Sequence, residues 1–289
     1  MIYVGTCGFS YKDWIAAFYP AKIKAREMLP YYASVFCAVE IDSSYYGVPT
    51  RAAVESMAAR TGPEFRFSFK APSTVTHPAE IASGKIHADA AALLQSLAPM
   101  VREGKLACVL AQFPNGFKPE PRNEAYLRRV VAAFEGLPVV VEFRNAGWQR
   151  AETIELLREL GAGYANVDMP RLEGLLHPSS DATAAIGYVR FHGRNARTWW
   201  RGSNVTRYDY AYSLDELEPW TDRIAEIEEQ TQQTYVFFNN HAKGNAARNA
   251  LEMAELLEDR YGEREPGVVA RPKRSNPEQA PLDFAGGPG

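Results

Sequence analysis

The sequence predicts a single-domain (β/α)8 barrel of the TIM type, and three observations favour this α/β fold. Eight short apolar segments, rich in β-branched and aromatic residues, recur along the 289-residue chain. Helical periodicity separates most of these segments. No Gly-rich GxGxxG turn follows the first segment, which argues against the runner-up, an open doubly wound sheet.

The eight segments are mostly continuous apolar runs, as expected for parallel strands that are buried on both faces. They span residues 2–8, 38–46, 65–72, 106–114, 139–145, 164–168, 188–193 and 234–240. In the second segment, Glu40, Asp42 and Ser44 stand at alternate positions, and we therefore expect them to point the same way.

Helices are predicted between the strands wherever apolar residues recur at helical spacing. These stretches lie around residues 93–101, 127–134, 152–161, 213–230 and 243–260. Ser213 and Glu216 have the spacing of a capping box, and Gly161 is a typical helix stop.

Two regions depart from this pattern. Residues 169–187, between the sixth and seventh strands, contain two prolines and no apolar stripe, which predicts a loop or a short helix. Residues 262–289 are rich in Pro, Gly and charge, and we expect a flexible or surface-bound tail after a barrel domain of residues 1–261.

The composition is that of an ordinary soluble protein, with a formal net charge of −3 and 46% hydrophobic residues. No stretch approaches the roughly 20 apolar residues of a membrane span, and the N-terminus does not resemble a signal peptide. The three cysteines have no metal-binding spacing, which favours free thiols in the cytoplasm. The sequence gives no sign of a protein partner.

Polar residues stand at the ends of the predicted strands, where TIM barrels carry their sites. They are Glu40, Asp42, Lys70, Gln112, Glu142, Arg144, Asp168, Arg190, His192, Asn239 and Asn240. Isolated buried charges cost several kcal/mol apiece, so we expect these groups to converge on one another and on a ligand.

The segment "YVRFHGRNARTWWRG", residues 188–202, holds four arginines and two tryptophans but no acid. Arg194, Arg197, Trp199 and Trp200 therefore predict a clamp for an anionic ligand with a ring: a nucleotide, a nucleic-acid strand or a sugar phosphate. The alternative is a loop that folds over the barrel mouth, with its tryptophans packed and its arginines paired.

A second anion site is predicted where the last helix begins. Lys243, the small residues around it and the free N–H groups of a helix start favour a bound phosphate at this place in a TIM barrel.

The leading hypothesis is a phosphoesterase that acts on nucleic acid or nucleotides. Glu142 or Asp168 would be the base and His192 the acid, while Arg144, Arg190 and Arg194 hold the anion. Glu142, Asp168, His192 and His241 could instead hold one divalent metal ion. The alternatives are a non-catalytic binder of nucleic acid or a phosphorylated ligand, and a carbohydrate-active hydrolase that uses Glu40 with Glu142.

Several motifs together resemble the YecE-like family, domain of unknown function 72. They are "VGTCGFSYKDW", "YYASVFCAVEIDSSYYGVP", "FRFSFKAPSTVTH", "VVVEFRNAGW", "YVRFHGRN" and "YVFFNNHAKGNAARNA", and the resemblance covers residues 2 to about 260. It implies a TIM-type barrel and no established reaction. Cys7 stands where that family often has Ser, which argues against an obligatory thiolate nucleophile, and Asp42 stands where it often has Asn.

Overall fold

Eight parallel strands close into a ring in which each strand pairs with the next, and the last pairs with the first. The structure, a computed structural model, describes residues 1–77, 86–262 and 267–272. The strands are β1 (Ile2–Cys7), β2 (Ala38–Ile41), β3 (Arg66–Lys70), β4 (Leu106–Gln112), β5 (Val139–Glu142), β6 (Gly163–Asp168), β7 (Ile186–Phe191) and β8 (Gln233–Phe238). The predicted TIM-type barrel is confirmed.

The helices pack around this ring by their apolar faces. In the part of the chain that the structure describes they are α1 (Ala25–Ala33), α2 (Arg51–Ala59), α3 (Ser73–Thr76), α4 (Ile86–Arg102), α5 (Pro121–Ala133), α6 (Ala151–Glu159), α7 (Asn204–Arg207), α8 (Leu214–Glu228) and α9 (Asn245–Tyr261). The predicted capping box of α8 is present, because the Ser213 backbone N–H donates to Glu216 Oε2 at 3.0 Å.

The second strand is shorter than predicted, and this changes where its polar residues point. β2 ends at Ile41, and Asp42 begins a 3-10 turn that runs to Tyr45. The Ser44 hydroxyl consequently faces the backbone, where it donates to the carbonyl oxygens of Ile41 and Lys70, each at 2.7 Å. The expected alignment of Ser44 with Glu40 and Asp42 was wrong, since alternation ends where extended backbone ends.

The inside of the barrel is filled by side chains that bridge strands on opposite sides. Tyr188 on β7 contacts both Ser68 on β3, at 2.8 Å, and Glu40 on β2, at 2.6 Å. Apolar side chains, among them Tyr3, Tyr235 and Phe237, fill the remainder. The barrel is a packed core, and its polar layer lies toward the C-terminal ends of the strands.

The irregular β6–β7 connection is confirmed, since residues 169–185 contain no helix. The described part of the tail lies along the start of β1: the Ile2 N–H donates to the Val268 carbonyl at 2.6 Å, and the Ala270 N–H to the Ile2 carbonyl at 2.8 Å. The rest of the predicted tail, residues 263–266 and 273–289, lies outside the described residues. Within the described ranges, no helix is both long and apolar enough to cross a membrane.

Candidate functional site

A cavity of about 470 Å³, here called the mouth cavity, opens at the C-terminal ends of the strands. Seven of the predicted site residues line it: Asp42, Lys70, Gln112, Arg144, Trp199, Trp200 and Asn239. Each is the last residue of a strand, follows a strand end closely, or lies in the loop after β7, here called the mouth loop, residues 193–212. The barrel therefore gathers these side chains around one space.

Positive charge dominates the cavity wall. Lys70 Nζ lies 4.5 Å from the centre of the Tyr45 ring, and the Arg207 guanidinium lies 6.0 Å from that of Trp199. Neither Lys70 nor Arg207 takes part in an ion pair among the described residues, and Arg207 Nε is buried without a hydrogen-bond partner there. Arg144 adds a third cation, although its Nε is 2.6 Å from Glu142 Oε1. Asp42 is the acid that the described chain contributes to this lining.

Aromatic rings form much of the rest of the wall. Tyr11 stacks on His241 with the ring centres 4.8 Å apart, and the Tyr45 hydroxyl is 2.9 Å from His77 Nε2. Trp199 is almost fully buried, while Trp200 is 53% exposed at the rim. Rings and cations together suit a ligand that carries both a flat face and negative charge.

Tyr208 places its phenol among the cations of the cavity. Burial alone would raise its pKa, but Arg144 and Lys70, with Arg190 and Arg207 behind them, lower the pKa below the ordinary value of a tyrosine. Within the described chain no hydrogen bond occupies this hydroxyl, and it is free to contact a ligand.

Beneath the cavity floor lies a buried layer made of Glu40, Glu142 and Arg190, each at most 1% exposed. The two terminal nitrogens of Arg190 donate to Glu142 Oε2 and Glu40 Oε1, both at 2.5 Å. Burial would raise the pKa of Glu142, but Arg190 and Arg144 outweigh it and hold the pKa well below the usual range. Arg190 is thus a structural counter-ion that does not reach the cavity.

Burial favours the neutral forms of Glu40 and Cys7. Burial and the neighbouring Asp42 raise the pKa of Glu40 to about 7, although Arg190 opposes the rise. Burial also raises the pKa of the Cys7 thiol well above its usual value, so the thiol stays neutral. This agrees with the inference that Cys7 is not a thiolate nucleophile.

His192 lies next to the buried layer, and both of its ring nitrogens are in hydrogen-bond contact with neighbouring side chains. Nε2 is 3.1 Å from Glu142 Oε1, and Nδ1 is 3.1 Å from Asn239 Nδ2. Burial and the nearby Arg144 lower the pKa of His192 to about 3, so the ring is neutral at physiological pH. A neutral ring that accepts from Asn239 donates from Nε2 to Glu142, and His192 therefore orients Glu142 and Asn239.

Asp168 lies outside the cavity and is 1% exposed. It accepts hydrogen bonds from Arg194 at 2.9 and 2.7 Å, from the Tyr212 hydroxyl at 2.7 Å and from Trp220 Nε1 at 2.9 Å. These donors occupy both carboxylate oxygens, and they anchor the mouth loop to β6 and α8. The His192 backbone N–H donates to the Asp168 carbonyl at 2.8 Å, but within the described chain the Asp168 carboxylate has no hydrogen bond or ion pair with Glu142 or with the His192 ring. Arg194 is paired with Asp168 and Glu216 and does not line the cavity.

The predicted metal ligands do not fit a metal ion. Asp168 is apart from the others, and Arg190 and Arg144 already occupy the oxygens of Glu142. Cys7, Glu40 and Asp42 do place one ligand atom each within 4.8 Å of one another. The Arg190 guanidinium, however, lies 3.4, 2.5 and 3.6 Å from these three groups and supplies the positive charge there.

Three further predicted ligand-binding residues do not line the cavity. The exposed Lys243 pairs with Asp209 at 2.7 Å, and its backbone N–H donates to Asp13 at 2.7 Å, so the start of α9 is not a cavity wall. Asn240 supports the mouth loop through the Tyr210 carbonyl at 2.9 Å. Arg197 is exposed. Lys243 and Arg197 lie outside the cavity. Each belongs to a connection after a strand, and the sequence pattern does not specify the path of such a connection.

Other lining residues were not among the predicted site residues: Tyr11, Tyr45, His77, Arg207 and Tyr208. Tyr11, Tyr45 and His77 lie in the connections after β1, β2 and β3, so reading a few residues past each strand end would have found them. Arg207 belongs to α7, a four-residue helix without a periodic signal, and only the fold of the mouth loop brings it to the cavity.

Comparison with known proteins gives one consistent family. The family model described as "Protein of unknown function DUF72" matches residues 3–275. "UPF0759 protein YunF" of Bacillus subtilis is 34% identical over 277 residues, which cover 90% of this chain and 96% of that protein.

Solved structures agree with this assignment. The crystal structure of a DUF72 family protein from Thermotoga maritima is similar with a TM-score of 0.83 and 38% identity, over 89% of this chain and 99% of that one. One from Enterococcus faecalis has a TM-score of 0.79 and 28% identity, over 89% and 96%. The resemblance noted in the sequence is confirmed, and the chain belongs to the DUF72 family.

Proposed function

We propose that this protein binds a small phosphorylated ligand with a ring, such as a nucleotide or a sugar phosphate, in the mouth cavity. One observation carries the proposal: Lys70 and Arg207 face the cavity, and in the described chain neither has an acidic side chain within ion-pair distance. Unpaired cations on a half-buried wall are costly unless a ligand neutralises them. Phosphate oxygens match an arginine fork and a lysine point charge.

The aromatic wall supports a ring on the same ligand. Trp200 and the Tyr11–His241 stack offer flat faces within one cavity, and a volume of about 470 Å³ is in the range of small-molecule sites. An extended nucleic-acid strand is less well supported, because Arg197 and Arg201 are exposed on the mouth loop and do not line the cavity.

We expect Lys70→Ala and Arg207→Ala each to weaken the binding of a phosphorylated ligand by about tenfold or more, since each removes a charge-assisted hydrogen bond. The probes are ribose 5-phosphate and adenosine monophosphate, titrated calorimetrically. Arg197→Ala is the matched control and leaves the affinity unchanged, because Arg197 is an exposed arginine of the same loop. No binding of either probe to the wild-type protein, or equal losses in all three variants, contradicts the proposal.

Phosphoester hydrolysis is a second candidate, favoured by the position of Asp42 on the same wall as the cations. An acid there can protonate the leaving oxygen of a bound ester. The paired carboxylates of the carbohydrate hypothesis have less support, because Glu40 and Glu142 are fully buried and share Arg190.

If the protein is a hydrolase of this kind, Asp42→Asn lowers the turnover of an alkyl phosphate by about a hundredfold, within the usual contribution of a general acid. Turnover of p-nitrophenyl phosphate falls less, since its leaving group needs less protonation. The measurement is phosphate release from both esters. A wild-type protein that binds phosphorylated ligands but releases no phosphate rejects hydrolysis and leaves the binding function standing.

A further inference from the structure

The side chains of Glu40 and Asp42 lie together at the edge of the mouth cavity, with an oxygen of each within 4.8 Å of the other. Asp42 Oδ1 is buried and has no hydrogen-bond partner in the described chain. Ionised carboxylates only accept hydrogen bonds, so a hydrogen bond between these two groups requires that one of them carry a proton. We propose that Glu40 and Asp42 hold a single proton between them and that Asp42 makes this proton available to a ligand in the cavity. The proposal rests on the proposed function of the cavity and adds the acid–base chemistry of that site.

The cation that contacts both acids is shared with a third acid. Arg190 is the cation that contacts both, at 2.5 Å from Glu40 Oε1 and 3.6 Å from Asp42 Oδ1. Arg190 also pairs with Glu142 at 2.5 Å, so that one guanidinium serves three acids. Two carboxylates so close together in a dry interior do not both ionise at neutral pH.

The hydrogen bonds around the pair leave one place for the proton. The Tyr188 hydroxyl donates to Glu40 Oε2 and Arg190 to Glu40 Oε1, whereas Asp42 Oδ1 is buried and accepts no hydrogen bond in the described chain. A proton on Glu40 would satisfy this oxygen. Without it, Asp42 Oδ1 would be a buried acceptor with no donor, which is costly.

The two acids differ in their surroundings, and this difference decides which of them holds the proton and which of them faces the ligand. Glu40 is fully buried, and burial favours its protonated form. Asp42 is 27% exposed and lines the cavity, where Lys70 and Arg190 outweigh its burial and favour the carboxylate. The proton is thus stored on the buried side and is reached from the cavity through Asp42.

In the hydrolysis of a phosphate monoester, the bond between phosphorus and the ester oxygen breaks, and its electron pair stays on that oxygen. The shared proton moves to this oxygen, which leaves both acids as carboxylates. Water forms the new bond to phosphorus, and the proton that the water loses restores the pair. The products are an alcohol and inorganic phosphate, and the pair ends in its starting state.

Other titratable and charged groups also face the pair, from every strand or connection packed against it. They are Cys7, Tyr11, Lys70, Glu142, Tyr188, Arg190 and His241. Burial lowers the pKa of His241 and raises those of the Cys7, Tyr11 and Tyr188 side chains. Glu142 is held as a carboxylate. His77 also lines the cavity, and burial and Lys70 lower its pKa, which favours a neutral ring across the tested pH range. Tyr208, whose pKa is lowered from that of an ordinary tyrosine, is the cavity group chosen as a control.

The test is the affinity for inorganic sulfate, a dianion whose own charge does not change near neutrality, measured by calorimetry at about pH 6 and about pH 8.5. Loss of the shared proton adds a negative charge beside the bound anion. We expect wild-type affinity to fall about tenfold or more from the lower to the higher pH. Glu40→Gln abolishes this dependence because glutamine cannot ionise, and Tyr208→Phe retains it.

Infrared spectroscopy tests the proton directly, with or without a bound ligand. The wild-type protein at about pH 6 shows the carbonyl band of a protonated carboxyl group, which disappears on raising the pH and is missing in Glu40→Gln. Absence of this band in the wild-type protein overturns the proposal. Sulfate binding without pH dependence overturns it while leaving the ligand site intact, and a wild-type protein that shows the band but binds no anion contradicts the proposed function alone.

Discussion

Replacing Arg190 by Met is expected to lower the free energy of unfolding by about 3–5 kcal/mol at neutral pH. The substitution leaves Glu40 and Glu142 fully buried without the guanidinium that bridges them at 2.5 Å on each side. Methionine fills much of the same volume, so the loss reflects uncompensated charge more than a cavity. No other arginine contacts both acids in the described chain.

Denaturation with guanidinium chloride at several pH values measures this effect, with Arg128→Met as the matched control. Arg128 also makes two hydrogen bonds to a glutamate, Glu159, at 2.8 and 2.9 Å, but on the exposed surface. We expect the control to change stability far less, because water screens the pair and solvates Glu159 after the substitution. Equal losses in the two variants would show that burial of the carboxylates is not the cause.

The pH dependence follows from the pKa of Glu142, which is held well below its usual value in the folded wild-type protein. Stabilisation by this group is present above the unfolded pKa of about 4.3 and is lost as the pH falls through the folded pKa. In Arg190→Met the buried acids can take up protons, so the cost of losing the Arg190 guanidinium shrinks in acid, while Arg144 remains beside Glu142. The difference in the free energy of unfolding between the wild-type protein and Arg190→Met should therefore become smaller as the pH is lowered.

The barrel was predictable because its signals are local and repeat eight times. Apolar runs, helical stripes and the capping box of α8 each follow from short-range preferences. A chain in which strands and helices alternate can form only a few compact folds with a parallel sheet. The strand bounds were less accurate. Asp42 and Ser44 were assigned to an extended strand because the 3-10 turn that begins at Asp42 has no distinctive pattern.

The candidate site was predictable only as far as strand ends determine it. Asp42, Lys70, Gln112, Arg144 and Asn239 end strands or follow them closely, and they line one cavity. Asp42 lines the cavity, whereas Glu40 and Glu142 are fully buried around Arg190, and the strand pattern does not distinguish these positions. The mouth loop, residues 193–212, brings Trp199, Trp200 and Arg207 to the cavity through long-range contacts that have no signature in the sequence.

The sequence also did not show which arginines of the mouth loop line the cavity. The sequence draws attention to Arg194 and Arg197, because they are close to the tryptophans. The structure instead pairs Arg194 with Asp168 and Glu216, exposes Arg197 and brings Arg207 to the cavity. Pairing is decided by acids that are distant in sequence, and residue type alone does not reveal them.

Asp168→Ala is the second substitution with a large expected effect, a loss of about 3–5 kcal/mol in the free energy of unfolding. It removes the acceptor for three donors at once: the Arg194 guanidinium, the Tyr212 hydroxyl and Trp220 Nε1. Tyr212 and Trp220 are each at most 3% exposed, so water cannot replace the lost bonds without disturbing the packing of α8.

Equilibrium denaturation of Asp168→Ala, beside Asp209→Ala as a control, measures this loss. Asp209 belongs to the mouth loop too, but its partner Lys243 is 74% exposed, and its removal should change stability far less. The sulfate affinity of folded Asp168→Ala distinguishes an anchor from a catalytic group. An unstable variant that still binds sulfate identifies Asp168 as the anchor of the mouth loop, because the carboxylate never contacts the ligand. A variant as stable as the wild-type protein that has lost sulfate binding would return Asp168 to the site.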